Sequence, residues 1–224
     1  MAGRNWLIKT VFILGILLYL WVILMSFVWG NTGFVPETVI FLVLIVFFYW
    51  AYDILDLRLP IFAALILGFL PHALGFMGFY LNSPLPIAYD HFTHFFPCLA
   101  FALVFFQFLR RFMTRRLFAP KTLFLIALVI LAAAGIGVII ELFEFSGFLI
   151  NGFGDGGLAF GAGDACTGQL VSTFEEIDAY GGGWFNTMYD LIWNSIGVLT
   201  GVFIMILANY VFKKKEINLF DKYY

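Results

Sequence analysis

Charge is what this sequence has least of. Only 12% of its 224 residues are Asp, Glu, Lys or Arg, roughly half the ~25% of a soluble globular domain, which excludes an ordinary water-facing surface. The net charge of −2 gives no ground for a nucleic-acid partner. Cysteine is scarce too. Cys98 falls in an apolar run and Cys166 in a polar loop, so no disulfide framework is implied. The first apolar run, VFILGILLYLWVILMSFVWG, is about 20 residues long, too long for a signal-peptide core, and no A-x-A-like site follows it. It reads as a retained span. GFGDGG lacks the GxxxxGK[ST] pattern and follows no strand, which excludes a nucleotide-binding loop. No internal repeat is visible.

What is present is hydrophobicity, at 63% of residues. A hydrocarbon core about 30 Å thick needs roughly 20 apolar residues per helix. Six runs qualify, at about 7–29, 36–54, 60–81, 87–112, 122–146 and 185–212. They are continuous, without the alternation of a barrel strand, so the expected fold is all-α: one polytopic membrane domain over 1–224 with six transmembrane helices. Basic residues set the orientation. Arg4 and Lys9, Arg58, the group Arg110, Arg111, Arg115, Arg116 and Lys121, and the group Lys213, Lys214, Lys215 and Lys222 account for all 12 Lys and Arg, and all fall on one side of the six runs. The positive-inside rule then predicts a plasma (inner) membrane protein with both termini cytoplasmic. The connection at about 147–184 faces outward. It holds 11 of the 22 glycines and five acids, and reads as a mobile connector or a lid.

Against this background a few ionisable residues stand inside apolar runs, where they are expensive. The fourth run opens with Asp90, His91 and His94 in AYDHFTHFF. The fifth ends with Glu141 and Glu144 in IIELFEF, and the sixth holds Asn186, Asp190 and Asn194 in NTMYDLIWNSIG. With the predicted orientation all lie within about 5–15 Å of the outer boundary. Asp90 and His94 are i, i+4; Glu141 and Glu144 are i, i+3; Asn186, Asp190, Asn194 and Gly197 form one stripe. Three helices thus each offer a polar face at one level. For each residue taken singly, a structural role as a satisfied core group is the simpler reading. Together they predict an outward-facing pocket in which Asp90, His94, Glu141, Glu144 and Asp190 carry the chemistry. His91, His72, Asn186 and Asn194 line it. No basic residue on that side neutralises the carboxylates, so a divalent metal on His94, Glu141, Glu144 and Asp190, or proton exchange, completes the site. Gln107 is expected to hydrogen-bond between helices. Asp53 and Asp56 are expected at the membrane edge beside Arg58.

YDHFTHF, ELFEF and NTMYDLIWNSIG resemble the YjdF-like family of inner-membrane proteins, itself distantly similar to the VanZ-like family. The resemblance covers about residues 40–205. Asp90 and His94 match an Asp and a following His that open one span; Glu141 and Glu144 match a Glu pair ending the next; Asp190–Leu191 and Gly197 match the last motif. Asn186 stands where the family usually has an Asp, and GDACTGQL only loosely echoes its Gly-Thr-Gln-Gly-Asp-like run. The resemblance implies a six-helix membrane domain and no particular reaction. Three functions fit the residues: a divalent-metal-dependent enzyme or binder of a lipid-linked substrate, a proton or metal-ion transporter, and a non-catalytic membrane subunit or assembly factor. The oligomeric state is not specified by the sequence.

Overall fold

The computed structural model describes residues 6–80, 83–151 and 182–212. The first helix, α1, is Trp6–Val28, followed by a short 3-10 turn and α2, Val35–Trp50. The third span is broken into α3 (Leu59–Gly68), α4 (Leu70–Ala73) and a 3-10 turn at Leu74–Met77. Next come α5 (Tyr89–Arg110), α6 (Pro120–Asn151) and α7 (Gly182–Ile206), the last running into a π-helical turn at Leu207–Phe212. Among the described residues, six segments are long and apolar enough to cross a membrane. At about 1.5 Å per residue, the 23 residues of α1 reach about 35 Å, more than a hydrocarbon core needs.

The surface is apolar and the interior partly polar, the reverse of a water-soluble domain. Leu14, Trp21, Leu24, Val43, Leu131, Ile139 and Phe143 are exposed along the helices. Trp6, Trp29 and Trp50 stand exposed at or just beyond helix ends, where the amphipathic indole favours the interface. Pro71 supplies no N–H to continue the third span's hydrogen-bond ladder, and Gly78, at a φ of 80°, turns the chain out of it.

At the centre is α5, whose most apolar stretch is 61% buried against 22–50% in the other spans. Small residues let its neighbours approach. A side chain at Gly197 of α7 would run into the Phe95 carbonyl oxygen of α5, and one at Gly201 would lie 2.7 Å from the Leu99 carbonyl oxygen. On the other flank, a side chain at Gly68 of α3 would lie 3.1 Å from the Phe96 carbonyl oxygen. Where apolar side chains gain little by leaving lipid, such close backbone contact supplies the association energy.

Polar groups tie both ends of this bundle. At the end holding the C-terminus of α5, Arg110 donates to Asn209 Oδ1 at 2.7 Å, and Tyr210 donates to the Thr114 carbonyl at 3.1 Å. Gln107 reaches across to the turn after α2, donating to the Asp56 carbonyl at 2.9 Å, the interhelical role its sequence position suggests. Asp56 itself adopts a φ of 51°, which Asp tolerates better than most residues. At the opposite end lie the N-terminus of α5, the C-terminal part of α6 and the start of α7. Between the two ends α5 buries Cys98, Ala100, Phe101, Ala102, Leu103 and Val104, an apolar plug.

A buried acid–histidine cluster between three helices

His94 projects from α5 into the space enclosed by α6 and α7 and is 2% exposed. Four carboxylates surround its ring. Nε2 lies 3.4 Å from Asp90 Oδ1, 3.7 Å from Glu144 Oε1 and 3.8 Å from Asp190 Oδ1. Nδ1 lies 3.3 Å from Glu141 Oε1. Asp190 is 0% exposed, Asp90 and Glu141 are also buried, and Glu144 is the accessible member, its side chain 27% exposed. The helical spacings explain the convergence. Asp90 and His94 stack one turn apart on α5, Glu141 and Glu144 share a face of α6, and Asp190 enters from α7 between Asn186 and Asn194.

A second tier of neutral groups positions the acids. Asn186 Nδ2 donates to Asp190 Oδ2 at 2.8 Å. The Thr93 hydroxyl lies 2.6 Å from the Asp90 carbonyl and 3.1 Å from Asp90 Oδ1. Asn194 Nδ2 lies 3.5 Å from Glu141 Oε1, while its Oδ1 accepts from the Cys98 thiol at 3.0 Å. Gly137 makes room for this amide: a side chain there would lie 2.8 Å from Asn194 Cγ. Pro97, within α5, cannot donate to the Thr93 carbonyl one turn back, which leaves that backbone acceptor beside the cluster.

Of the residues the sequence singles out, Asp90, His94, Glu141, Glu144, Asp190, Asn186 and Asn194 come together. His91 and His72 lie close enough to Asp90 and His94 to interact electrostatically, but their nearest side-chain partners are aromatic. His91 stacks on the rings of Trp193 and Tyr189, with centroids 5.0 and 6.3 Å away. His72 sits in an aromatic box: its Nδ1 is 2.7 Å from the Tyr80 hydroxyl, and its ring packs edge-on against Phe34 and Phe41. Thr93, Cys98 and Gly137 belong to the cluster's surroundings and were not singled out. Each sits three or four residues from an ionisable member (Asp90, His94, Glu141), and that periodicity is the signal that could have found them. The Gly-rich stretch at 152–181, with Cys166, lies outside the described residues.

Chemically, the cluster is short of positive charge. Every Lys and Arg of the chain lies outside 59–109 and 122–212. It is also short of hydrogen bonds. Among the described residues, His94 Nδ1 and Asp190 Oδ1, both fully enclosed, have no hydrogen-bond partner of acceptable geometry. Separations of 3.3–3.8 Å are long for direct imidazole–carboxylate hydrogen bonds. They suit ligand atoms around a shared ion: tetrahedral bonds of about 2.1 Å place ligand atoms about 3.4 Å apart. Two sets, Asp90–His94–Asp190 and His94–Glu141–Glu144, each bring three ligand atoms within 4.8 Å of one another and could hold a metal.

Comparison with known proteins agrees with the membrane architecture. No curated protein and no solved structure matches the chain. One protein family does, over residues 6–214, a span that takes in all six described membrane helices and every member of the cluster. The match is consistent with the YjdF-like resemblance and does not extend to the VanZ-like one. The chain belongs to the family of predicted membrane proteins DUF2238.

Proposed function

We propose that this protein holds a divalent cation in the acid–histidine cluster, at the outer leaflet of the plasma (inner) membrane, and there binds or transforms a lipid-linked substrate. One observation carries the reading. Among the described residues, a buried imidazole is ringed by four carboxylates with no Lys or Arg at that end of the bundle, and two of the enclosed polar atoms lack hydrogen bonds. Carboxylates brought this close cannot all stay ionised without a cation, a shared proton or a charged histidine among them. Nitrogen and oxygen donors from facing helices are also how helical bundles build metal centres.

When bound, a divalent ion there supplies Lewis acidity, the means of polarising a phosphoryl or carbonyl oxygen in the absence of Arg or Lys. The outward placement follows from the one-sided distribution of basic residues, which also puts both termini in the cytoplasm. Glu144 supplies the approach. It is the accessible acid, and its α6 neighbours Leu142, Phe143 and Phe145 are exposed to the hydrocarbon, so a headgroup can reach the cluster while its chain stays in lipid. The apolar plug of α5 argues against a proton or ion path between the two polar ends.

Thermal unfolding in detergent tests the proposal. Ligand at about 100 times its Kd stabilises a protein by about 2.7 kcal/mol. Zn²⁺ or Mn²⁺ added to chelator-treated wild type should therefore raise Tm, and Asp190→Asn should abolish the response. If the cluster only ties helices together, neither ion shifts Tm and Asp190→Asn is mild or stabilising. If it is a proton relay, reconstituted vesicles show a proton flux that Asp190→Asn removes, without a metal response.

A further inference from the structure

The four acids around His94 are not equivalent. An imidazole directs the bonds of its two nitrogens outward along diverging lines, so a cation held on one nitrogen cannot also be held on the other. The closest approaches of Asp90, Glu144 and Asp190 are to Nε2, whereas Glu141 approaches Nδ1. We infer that the cation ligands are His94 Nε2, Asp90 and Asp190, one of the two compact ligand sets, and that Glu141, which faces Nδ1 across 3.3 Å, is a positioning residue on the far side of the ring. This deepens the cation reading above and rests on it.

The surroundings support the division. Asp90, His94 and Asp190 form one of the two compact ligand sets, Glu144 falling in the other with Glu141, and Asp190 Oδ1, directed toward Nε2 and 0% exposed, finds no hydrogen-bond partner among the described residues. Glu141 instead continues into a chain of neutral groups. Its Oε1 lies 3.5 Å from Asn194 Nδ2, and Asn194 is held by Cys98 in the space left by Gly137. A carboxylate on the far nitrogen of a metal-ligating histidine sets its tautomer and raises its basicity, and losing such a partner typically weakens metal binding about 10- to 100-fold. The ligand set is thus one imidazole nitrogen and two carboxylates, with Asp90 included and Glu141 and Glu144 outside it. That differs from the His94, Glu141, Glu144 and Asp190 set the sequence suggests.

Co²⁺ titration of the full chain in detergent, read by its visible ligand-field spectrum, separates the roles. Glu141→Gln should bind Co²⁺ with the wild-type band shape but about 10- to 100-fold more weakly. Glu141→Ala should be weaker still, so that the glutamine variant gives partial rescue. Asp90→Asn should change the band shape, because a ligand is altered. A wild-type affinity in Glu141→Gln, or a band shape changed as in Asp90→Asn, overturns the assignment while leaving the cation centre standing. Wild type that takes up no Co²⁺ overturns the cation centre itself, and the assignment with it.

Discussion

Gly197→Ala puts the packing account at risk with the smallest possible change, one methyl group. The new Cβ would lie 3.0 Å from the Phe95 carbonyl carbon and 3.2 Å from the Leu99 nitrogen, and would run into the Phe95 carbonyl oxygen. All three are backbone atoms of α5, so no rotamer change relieves the contact, and the two helices must part. Overpacking of this kind costs about 1–3 kcal/mol, and a backbone collision belongs at the upper end. At about 2–4 °C per kcal/mol for a chain of this size, Tm should fall by about 6–12 °C. Parting α5 from α7 also draws Asp190 away from His94, now 3.8 Å apart, so metal binding should weaken with stability. Gly135→Ala is the internal control. Among the described residues nothing lies within 4 Å of a side chain there, and alanine in place of glycine favours a helix by about 0.5–1 kcal/mol. The assay is thermal unfolding of both variants in one detergent, followed by tryptophan fluorescence. A Gly197→Ala protein as stable as Gly135→Ala would refute the close-packed α5–α7 seam.

Other outcomes follow from single contacts. Tyr19, fully buried in α1, donates to the Ile66 carbonyl of α3 at 2.6 Å. Tyr19→Phe should cost about 0.6–1.5 kcal/mol in the same unfolding assay, and no loss would show that the bond does not tie the two helices. Arg110→Ala removes the 2.7 Å bond to Asn209 at the end remote from the cluster. It should lower stability yet leave Co²⁺ affinity unchanged, since sites this far apart usually act independently. For topology, a membrane-impermeant thiol reagent applied to intact cells should label Cys166. Labelling only after lysis would reverse the orientation.

The six spans were legible because bilayer thickness fixes run length, and each run carries enough Leu, Ile, Val and Phe to announce itself. Helix ends were less so. The expected fifth run stops at about 146, yet α6 continues to Asn151, since neither Ser146 nor Gly147 stops a helix whose next residues are again apolar. The break in the third span follows from Pro71, which cannot continue the hydrogen-bond ladder. The convergence of the acids on His94 was legible as well: buried acids have few partners but one another, and helical spacing puts them on shared faces. Direction within that level was not. His91 and His94 are three residues apart in the same apolar run, and only the placement of Trp193 and Tyr189 on α7 decides that His91 stacks while His94 meets the acids. Nor does spacing reveal which ring nitrogen faces Glu141, because that depends on the rotamer His94 adopts after three helices have packed. Gly137 shows the same limit: it matters only because Asn194 comes to rest against it.

Elemental analysis of the purified wild-type chain, prepared without chelators, tests the central claim most directly. About one equivalent of a divalent metal per chain is predicted, set by a site with one imidazole and two buried carboxylates at hand. A folded Asp90→Ala, Asp190→Ala double variant prepared in parallel should carry almost none. Wild-type protein with no stoichiometric metal, or a double variant that retains it in full, would contradict the account.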